Sequence, residues 1–241
     1  MGTKSMVRQI KIDGDLILGG LFPVHAKGLG SKPCGQLWEG RGLHRVEAML
    51  FALDKINNDD TILPGIKLGA LILDSCSTPA FALNQSLDFV RDMIGTMDAD
   101  QYVCQDGSNP SALDTGSQPV VGVIGGSYSS VSVQVANLLR LFHIVQISPA
   151  STNADLSDKT RFEYFARTVP SDNFQARAMV DICASFNWTY VSLVYSAEEY
   201  GELAADTFKK EARKQNLCIA TEEKIAKREA IPESIENLMK K

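Results

Sequence analysis

The apolar positions of the chain fall into short runs, separated by longer segments in which they recur every three or four residues. LILGGLFPV (16–24) reads as a buried strand, and RGLHRVEAMLFALDKINND (41–59) as a helix with Val46, Met49, Leu50, Leu53 and Ile56 on one face. IKLGALILD (66–74) predicts a second strand, and the segment from Thr78 to Met93 a second helix, with Pro79 suited to its first turn. A polar stretch from Asp98 to Pro119 carries no period and reads as a surface loop. Beyond it the pattern predicts a strand at 120–126, a helix at 129–142, a strand at 144–148 and a strand or turn at 165–170. A helix over 171–186 has Ser171 and Asp172 as cap candidates; a strand (190–196), a helix (200–216), a strand (217–224) and a last helical start (232–241) follow.

Short strands joined through helices predict an α/β fold with a parallel, doubly wound sheet. Residues 1–14 are expected to be a tail, and the units up to residue 186 suffice for most of one sheet. After Asn187 only two strands are expected, fewer than a sheet normally needs, so the pattern reads as a domain cut off partway.

Composition narrows the class. At about 150 residues per domain, 241 residues allow one large domain or one domain and part of another. With 44% hydrophobic and 22% charged residues the chain can bury a real core. The 24 basic and 29 acidic residues give a net charge of −5 with no Lys/Arg block, so nucleic acid is not an expected partner. Every apolar run is shorter than the roughly 18 residues a bilayer requires. The amino-terminal MGTKSMVRQIKIDGD lacks the apolar segment of a secretory signal.

Cys34, Cys76, Cys104, Cys183 and Cys218 show no CxxC spacing and no nearby histidine ligand, so no metal is expected. Reduced thiols in a cytosolic protein and sulfurs paired in an oxidising compartment both remain open on composition. Two Asn-x-Ser/Thr triplets occur, at Asn84 and Asn187.

Candidate chemistry collects where strands run into helices. In GVIGGSYSSVSVQ (122–134) an apolar strand meets Gly125-Gly126 and then Ser127, Tyr128, Ser129 and Ser130 at a helix start. Glycines admit a close backbone approach, hydroxyls and amides donate, and the helix dipole favours an anion such as a carboxylate. The same letters also suit an ordinary turn with a serine cap. The following crossing ends its strand in Ser148, Pro149, Ala150, Ser151 and Thr152, a second group of small hydroxyl residues at the rim of the same sheet or a plain polar turn. Arg41 and Arg45 lie four apart in the first turns of their helix, where cations oppose the macrodipole. An anionic partner accounts for that placement, as do solvated ion pairs with Glu39 or Glu47. No phosphate cradle, GxSxG or HExxH is present, so neither a nucleotide cofactor nor catalysis is expected.

At these residues the chain resembles the extracellular amino-acid-binding region of metabotropic glutamate receptors, class C G-protein-coupled receptors. The resemblance is carried by LILGGLFPVHAKG (16–28), RGLHRVEAMLFALDKIN (41–57), GVIGGSYSSVSVQVANLLRLF (122–142), ASTNADLSDKTRFEYFARTVPSD (150–172), FNWTYVSLVYS (186–196) and EYGE (199–202). It implies a bilobed, periplasmic-binding-protein-like clamshell of type I, with lobe 1 over 15–186 and a truncated lobe 2 from 187 to 241. L-glutamate or a related amino acid would sit between the lobes.

By the same resemblance Ser129 and Thr152 hold the ligand's α-carboxylate and α-amino groups, with Ser127, Ala150 and Ser151 lining the pocket. Asp172 meets the α-ammonium, Tyr200 packs on that cation, and Arg41 and Arg45 face the distal carboxylate. Cys34 and Cys76 resemble an intra-lobe disulfide, Cys104 a bridge between protomers, and Cys218 a link to a further domain; Cys183 reads as a buried free thiol. Asn187 becomes a glycosylation candidate. The implied partners are a second copy through lobe 1 and, through transmembrane segments that this chain lacks, a G protein at the cell membrane. Pro149, where many members carry an aromatic residue, and Tyr195-Ser196-Ala197-Glu198 depart from the pattern. A receptor tuned to another amino acid and a chain that only dimerises stand as the alternatives.

Overall fold

The computed structural model describes residues 9–94 and 118–239. Cys104 and most of the expected polar loop lie outside the described residues. The chain divides into two compact units, Met1–Ala150 with Phe162–Thr168, and Ser151–Arg161 with Val169–Lys241.

Unit 1 is built from β1 (Gln9–Ile12), β2 (Leu16–Phe22), β3 (His25–Lys27), β4 (Cys34–Leu37), α1 (His44–Asn57), β5 (Leu68–Asp74), α2 (Pro79–Ile94), β6 (Val120–Gly125), α3 (Ser129–Leu139), β7 (Val145–Ser148) and β8 (Phe165–Arg167). Its six-stranded sheet has the order β1-β5-β2-β6-β7-β8. All neighbours run parallel except β1, which lies antiparallel on β5 with Gln9 opposite Leu73. Residues 9–12, expected in a tail, thus form the edge strand: QIKI is short and largely exposed, and its polar spacing gave no strand signal. β3 and β4 pair as a separate hairpin.

The central strand β2 is apolar along its length because helices cover both of its faces. On one face Ile17, Leu21, Val120 and Val123 pack with Phe89 and Val90 of α2 and with Val131, Val135 and Leu139 of α3. On the other, Phe22, Leu68, Ala70 and Ile72 pack with Val46, Met49 and Leu53 of α1. Full burial of each such side chain contributes about 1.5–3 kcal/mol before the cost of ordering it. The Gly19-Gly20 pair lets both layers approach: a Cβ on Gly19 would stand 2.9 Å from Phe89 and Val123, and one on Gly20 would stand 2.8 Å from Met49 Sδ. The end of α1 is tied to β5, since Asn57 Nδ2 donates to Leu68 O at 2.9 Å and Asn57 Oδ1 accepts from Leu68 N at 2.8 Å.

Unit 2 contains α4 (Asp172–Ser185), β9 (Tyr190–Ser196), α5 (Glu199–Lys214), β10 (Cys218–Ile225) and α6 (Ile231–Met239). β9 and β10 pair in parallel. Ala176 and Val180 of α4 pack on Phe208 and Ala212 of α5 and on Leu217, with Val191, Leu193 and Ile219 beside them.

The division between the units differs from the expected boundary at 186 and 187. The apolar face of α4 packs on α5, so α4 groups with the later elements, together with Ser151–Arg161. Periodicity shows that 171–186 has an apolar face but not which neighbour covers it. The fold class is the mixed α/β, mostly parallel, type I periplasmic-binding-protein-like one. Among the described residues no helix is long and apolar enough to cross a membrane.

Candidate functional site

In unit 1 the apolar run of β6 ends at Gly125 and Gly126, with φ of +136° and +73°. The left-handed region suits glycine, and it turns the chain off the carboxyl end of β6 into α3. The N-cap of α3 is Tyr128, in extended conformation and without a side-chain cap bond, so a serine cap is not what ends this turn. Ser129 is the first helical residue and is buried. Among the described residues the buried Oγ of Ser127 has no hydrogen-bond partner, an arrangement that a polar ligand group would satisfy.

Beneath this turn the two glycine carbonyls are held from inside. Gly126 O accepts from Ser132 Oγ at 2.9 Å and from Ser148 Oγ at 2.6 Å, and Gly125 O accepts from Gln146 Nε2 at 3.1 Å. Ser148, expected at the sheet rim, is completely buried, and its hydroxyl serves the neighbouring turn. Sequence reasoning missed Gln146. Gln146 and Ser148 alternate inward along β7, with Val145 and Ile147 facing outward, the reverse of what their polarity suggests.

Arg41 lies in the wide helical turn Glu39–Leu43 and Arg45 near the start of α1, so the two stay on one continuous helical segment. Neither forms an ion pair among the described residues, which removes the solvated pairs with Glu39 or Glu47. Arg41 stacks its guanidinium 5.4 Å from the centroid of Trp38, an aromatic partner that spacing alone did not reveal. Burial, and after it the charge of Arg41, holds Arg45 below the ordinary guanidinium range, with a smaller opposing effect from Tyr128. Two like charges close enough to disfavour each other suit an anion that neutralises both.

In unit 2, Thr152, Asp172 and Tyr200 come together. The Tyr200 hydroxyl donates to Asp172 Oδ1 at 3.2 Å and lies 2.9 Å from Thr152 Oγ1. Asp172 N donates to Thr152 O at 2.8 Å. Ser171 caps α4 by accepting from Asn173 N, which leaves Asp172 as the first helical residue, buried, with its carboxylate at the positive end of the helix. Burial in first place pushes the Tyr200 phenol above its ordinary range; the hydrogen bond with Thr152 works against that, and Asp172 adds to it. A cavity of about 860 Å³ opens beside Asp172 and Tyr200, with Asn153, Asp155, Arg177 and Lys210 in its wall. Ser151 is fully buried, while Ala150 and Thr152 are half-buried.

Other groups carry less chemistry. His25 Nδ1 lies 2.6 Å from Asp74 Oδ2, and Cys76 Sγ lies 3.2 Å from the same oxygen. The Cys76 sulfur is spent in a disulfide with Cys34, with Cα atoms 5.0 Å apart, so this trio offers an ion only two donors. A cavity of about 290 Å³ lined by Lys11, Asp13, Asp88 and Arg91 sits at the amino ends of the strands, and an Asp88–Arg91 ion pair balances charge there. Ligands of such sheets bind at the carboxyl ends. Cys183 is half-buried and Cys218 exposed, and neither forms a disulfide among the described residues.

A family model described as the receptor family ligand binding region matches residues 44–241. The chain belongs to this family of receptor ligand-binding regions. It is 67% identical over 238 residues to a Caenorhabditis elegans protein named "Probable metabotropic glutamate receptor mgl-1", covering 98% of this chain and 24% of that protein. It is 58% identical over 217 residues to the Drosophila melanogaster metabotropic glutamate receptor, covering 90% of this chain and 22% of the relative. Identity to metabotropic glutamate receptor 4 of Rattus norvegicus is 52% over 220 residues, or 91% of this chain and 24% of the relative. The chain thus spans about a quarter of the length of these relatives.

Proposed function

We propose that this chain is part of the extracellular sensor of a metabotropic glutamate receptor and binds L-glutamate without transforming it. The observation that carries the reading is the meeting of Thr152, Asp172 and Tyr200 in unit 2. A buried carboxylate, a hydroxyl and an aromatic ring at one point are the groups that an α-ammonium requires: a counter-charge, a hydrogen-bond acceptor and a π face.

Each remaining group of the ligand has a matching feature. The Ser127 hydroxyl, unpartnered among the described residues, and the start of α3 offer donors and a positive dipole end to the α-carboxylate. Arg41 and Arg45, which lack carboxylate partners among the described residues, take the distal carboxylate. Ala150 and Ser151 supply backbone contacts. Ligand-driven closure of the lobes then biases a receptor dimer paired through lobe 1 and, through segments outside this chain, a G protein at the cell membrane. The names of the relatives support this wider reading.

The test is isothermal titration of L-glutamate into the chain and its Asp172→Asn variant. A one-site isotherm that the variant weakens at least tenfold is expected. Equal affinity in the two proteins overturns the assignment of Asp172.

A further inference from the structure

We propose that Ser148 is a positioning residue that joins the two ligand loops of unit 1 through one buried oxygen, with Gln146 and Ser132 completing the clamp. The inference rests on the glutamate reading of those loops.

Ser148 Oγ donates to Gly126 O at 2.6 Å and accepts from Ala150 N at 3.3 Å. The same atom therefore bonds the turn after β6 and the turn after β7. A hydroxyl can do both at once, since it carries one donor and two acceptor positions. Ser132 Oγ reaches Gly126 O from α3 at 2.9 Å, and Gln146 Nε2 fixes the preceding carbonyl, Gly125 O, at 3.1 Å. Ser132, Gln146 and Ser148 are all fully buried.

The consequence for the ligand follows from the planarity of the peptide. In a trans peptide the N–H points opposite to the C=O of the same unit. Two buried hydroxyls hold Gly126 O inward, so the Ser127 N–H of that peptide is held outward, as a donor must be to meet an anion at the carboxyl end of β6. Gly126 N is occupied by Leu21 O at 3.1 Å, which fixes the preceding peptide in the complementary sense. Fixed donors cost no rearrangement when the ligand arrives, and this lowers the entropic penalty of binding.

Replacing Ser148 by alanine releases both turns without changing any group assigned to the ligand. The experiment compares Ser148→Ala with Ser86→Ala, which removes an equally buried hydroxyl whose bond lies within α2, to Ala82 O. Amide hydrogen exchange of the ligand-free chain and L-glutamate titration are measured on both variants. In Ser148→Ala, the Ala150 and Gly126 amides exchange at least tenfold faster and affinity falls about tenfold. Ser86→Ala changes neither. Unaltered exchange at Ala150, or an equal affinity loss in Ser86→Ala, overturns the proposal.

If the parent chain takes up no glutamate, the glutamate reading falls. The exchange comparison still decides whether Ser148 joins the turns: acceleration upholds the joint and its absence refutes it. If Ser148→Ala does not fold, Ser132→Ala replaces it, with faster exchange at Gly126 expected and unchanged exchange contradicting the clamp.

Discussion

The hydroxyl of Tyr200 donates to the carboxylate of Asp172 at 3.2 Å, and the same oxygen lies 2.9 Å from Thr152 Oγ1. The phenol therefore bonds the same acceptors that are proposed for the ammonium, while its ring remains available to a cation. The two properties separate by mutation. Tyr200→Phe keeps the ring, and glutamate affinity is expected to stay within about threefold of the parent. Tyr200→Ala removes the ring and its cation–π attraction of about 0.5–2 kcal/mol, so a loss of about tenfold is expected by calorimetry.

Burial raises the Tyr200 phenol above its ordinary range. A group whose pKa is higher in the folded chain contributes stability below its unfolded value and loses it as pH rises toward the folded one. The parent chain is thus expected to lose stability relative to Tyr200→Phe above about pH 10, the ordinary tyrosine value. Paired thermal melts between neutral and alkaline pH check this. A difference that does not change with pH contradicts it.

Arg41 and Arg45 divide ligand affinity from stability. Arg45→Ala removes a half-buried charge that lies near another of the same sign, and the melting temperature is expected to stay the same or rise slightly. Glutamate affinity is expected to fall at least tenfold, while an amino acid without a distal carboxylate loses little. Equal losses for the two ligands would remove the arginines from the distal site.

The Cys34–Cys76 disulfide closes a sequence separation of 42 residues and ties β4 to the loop after β5. The chain-entropy relation gives about 4 kcal/mol for a loop of that length. Denaturant titration with and without reductant is expected to show a loss of about 2–5 kcal/mol on reduction.

Asn187 is exposed at φ +55°, just beyond α4. Asn84 sits inside α2, and Ser86 of its triplet is buried with the hydroxyl bonded to Ala82 O. Mass spectrometry after secretion from a glycosylating host is expected to find a glycan at Asn187 and none at Asn84.

Much of this fold was legible because buried parallel strands and amphipathic helices write different periods. The run at 190–196 is β9 residue for residue, and the helix expected at 171–186 is α4 to within one residue at either end. Short exposed pieces were not legible: β1 and the β3–β4 hairpin have three or four residues each, too few to show a period. Within the site, the spacing of Arg41 and Arg45 pointed to one helical face, while the glycine-serine turn suited a plain serine-capped turn as well as an anion site. The meeting of Thr152, Asp172 and Tyr200 spans sequence separations of 28 and 48, and no local pattern encodes such a contact. It came from the resemblance. Gln146 was hidden because a single polar residue inside an apolar strand has the same letters whether it faces water or a buried carbonyl.

The central claim is that this chain recognises an amino acid through its α-ammonium and its distal carboxylate together. Calorimetric titration of L-glutamate into the chain, with Asp172→Asn and Arg45→Ala in parallel, tests it most directly. The account predicts saturable one-site heat from the parent chain and at least tenfold weaker binding in each variant. Absence of heat from the parent chain, or parent-like affinity in both variants, would contradict it.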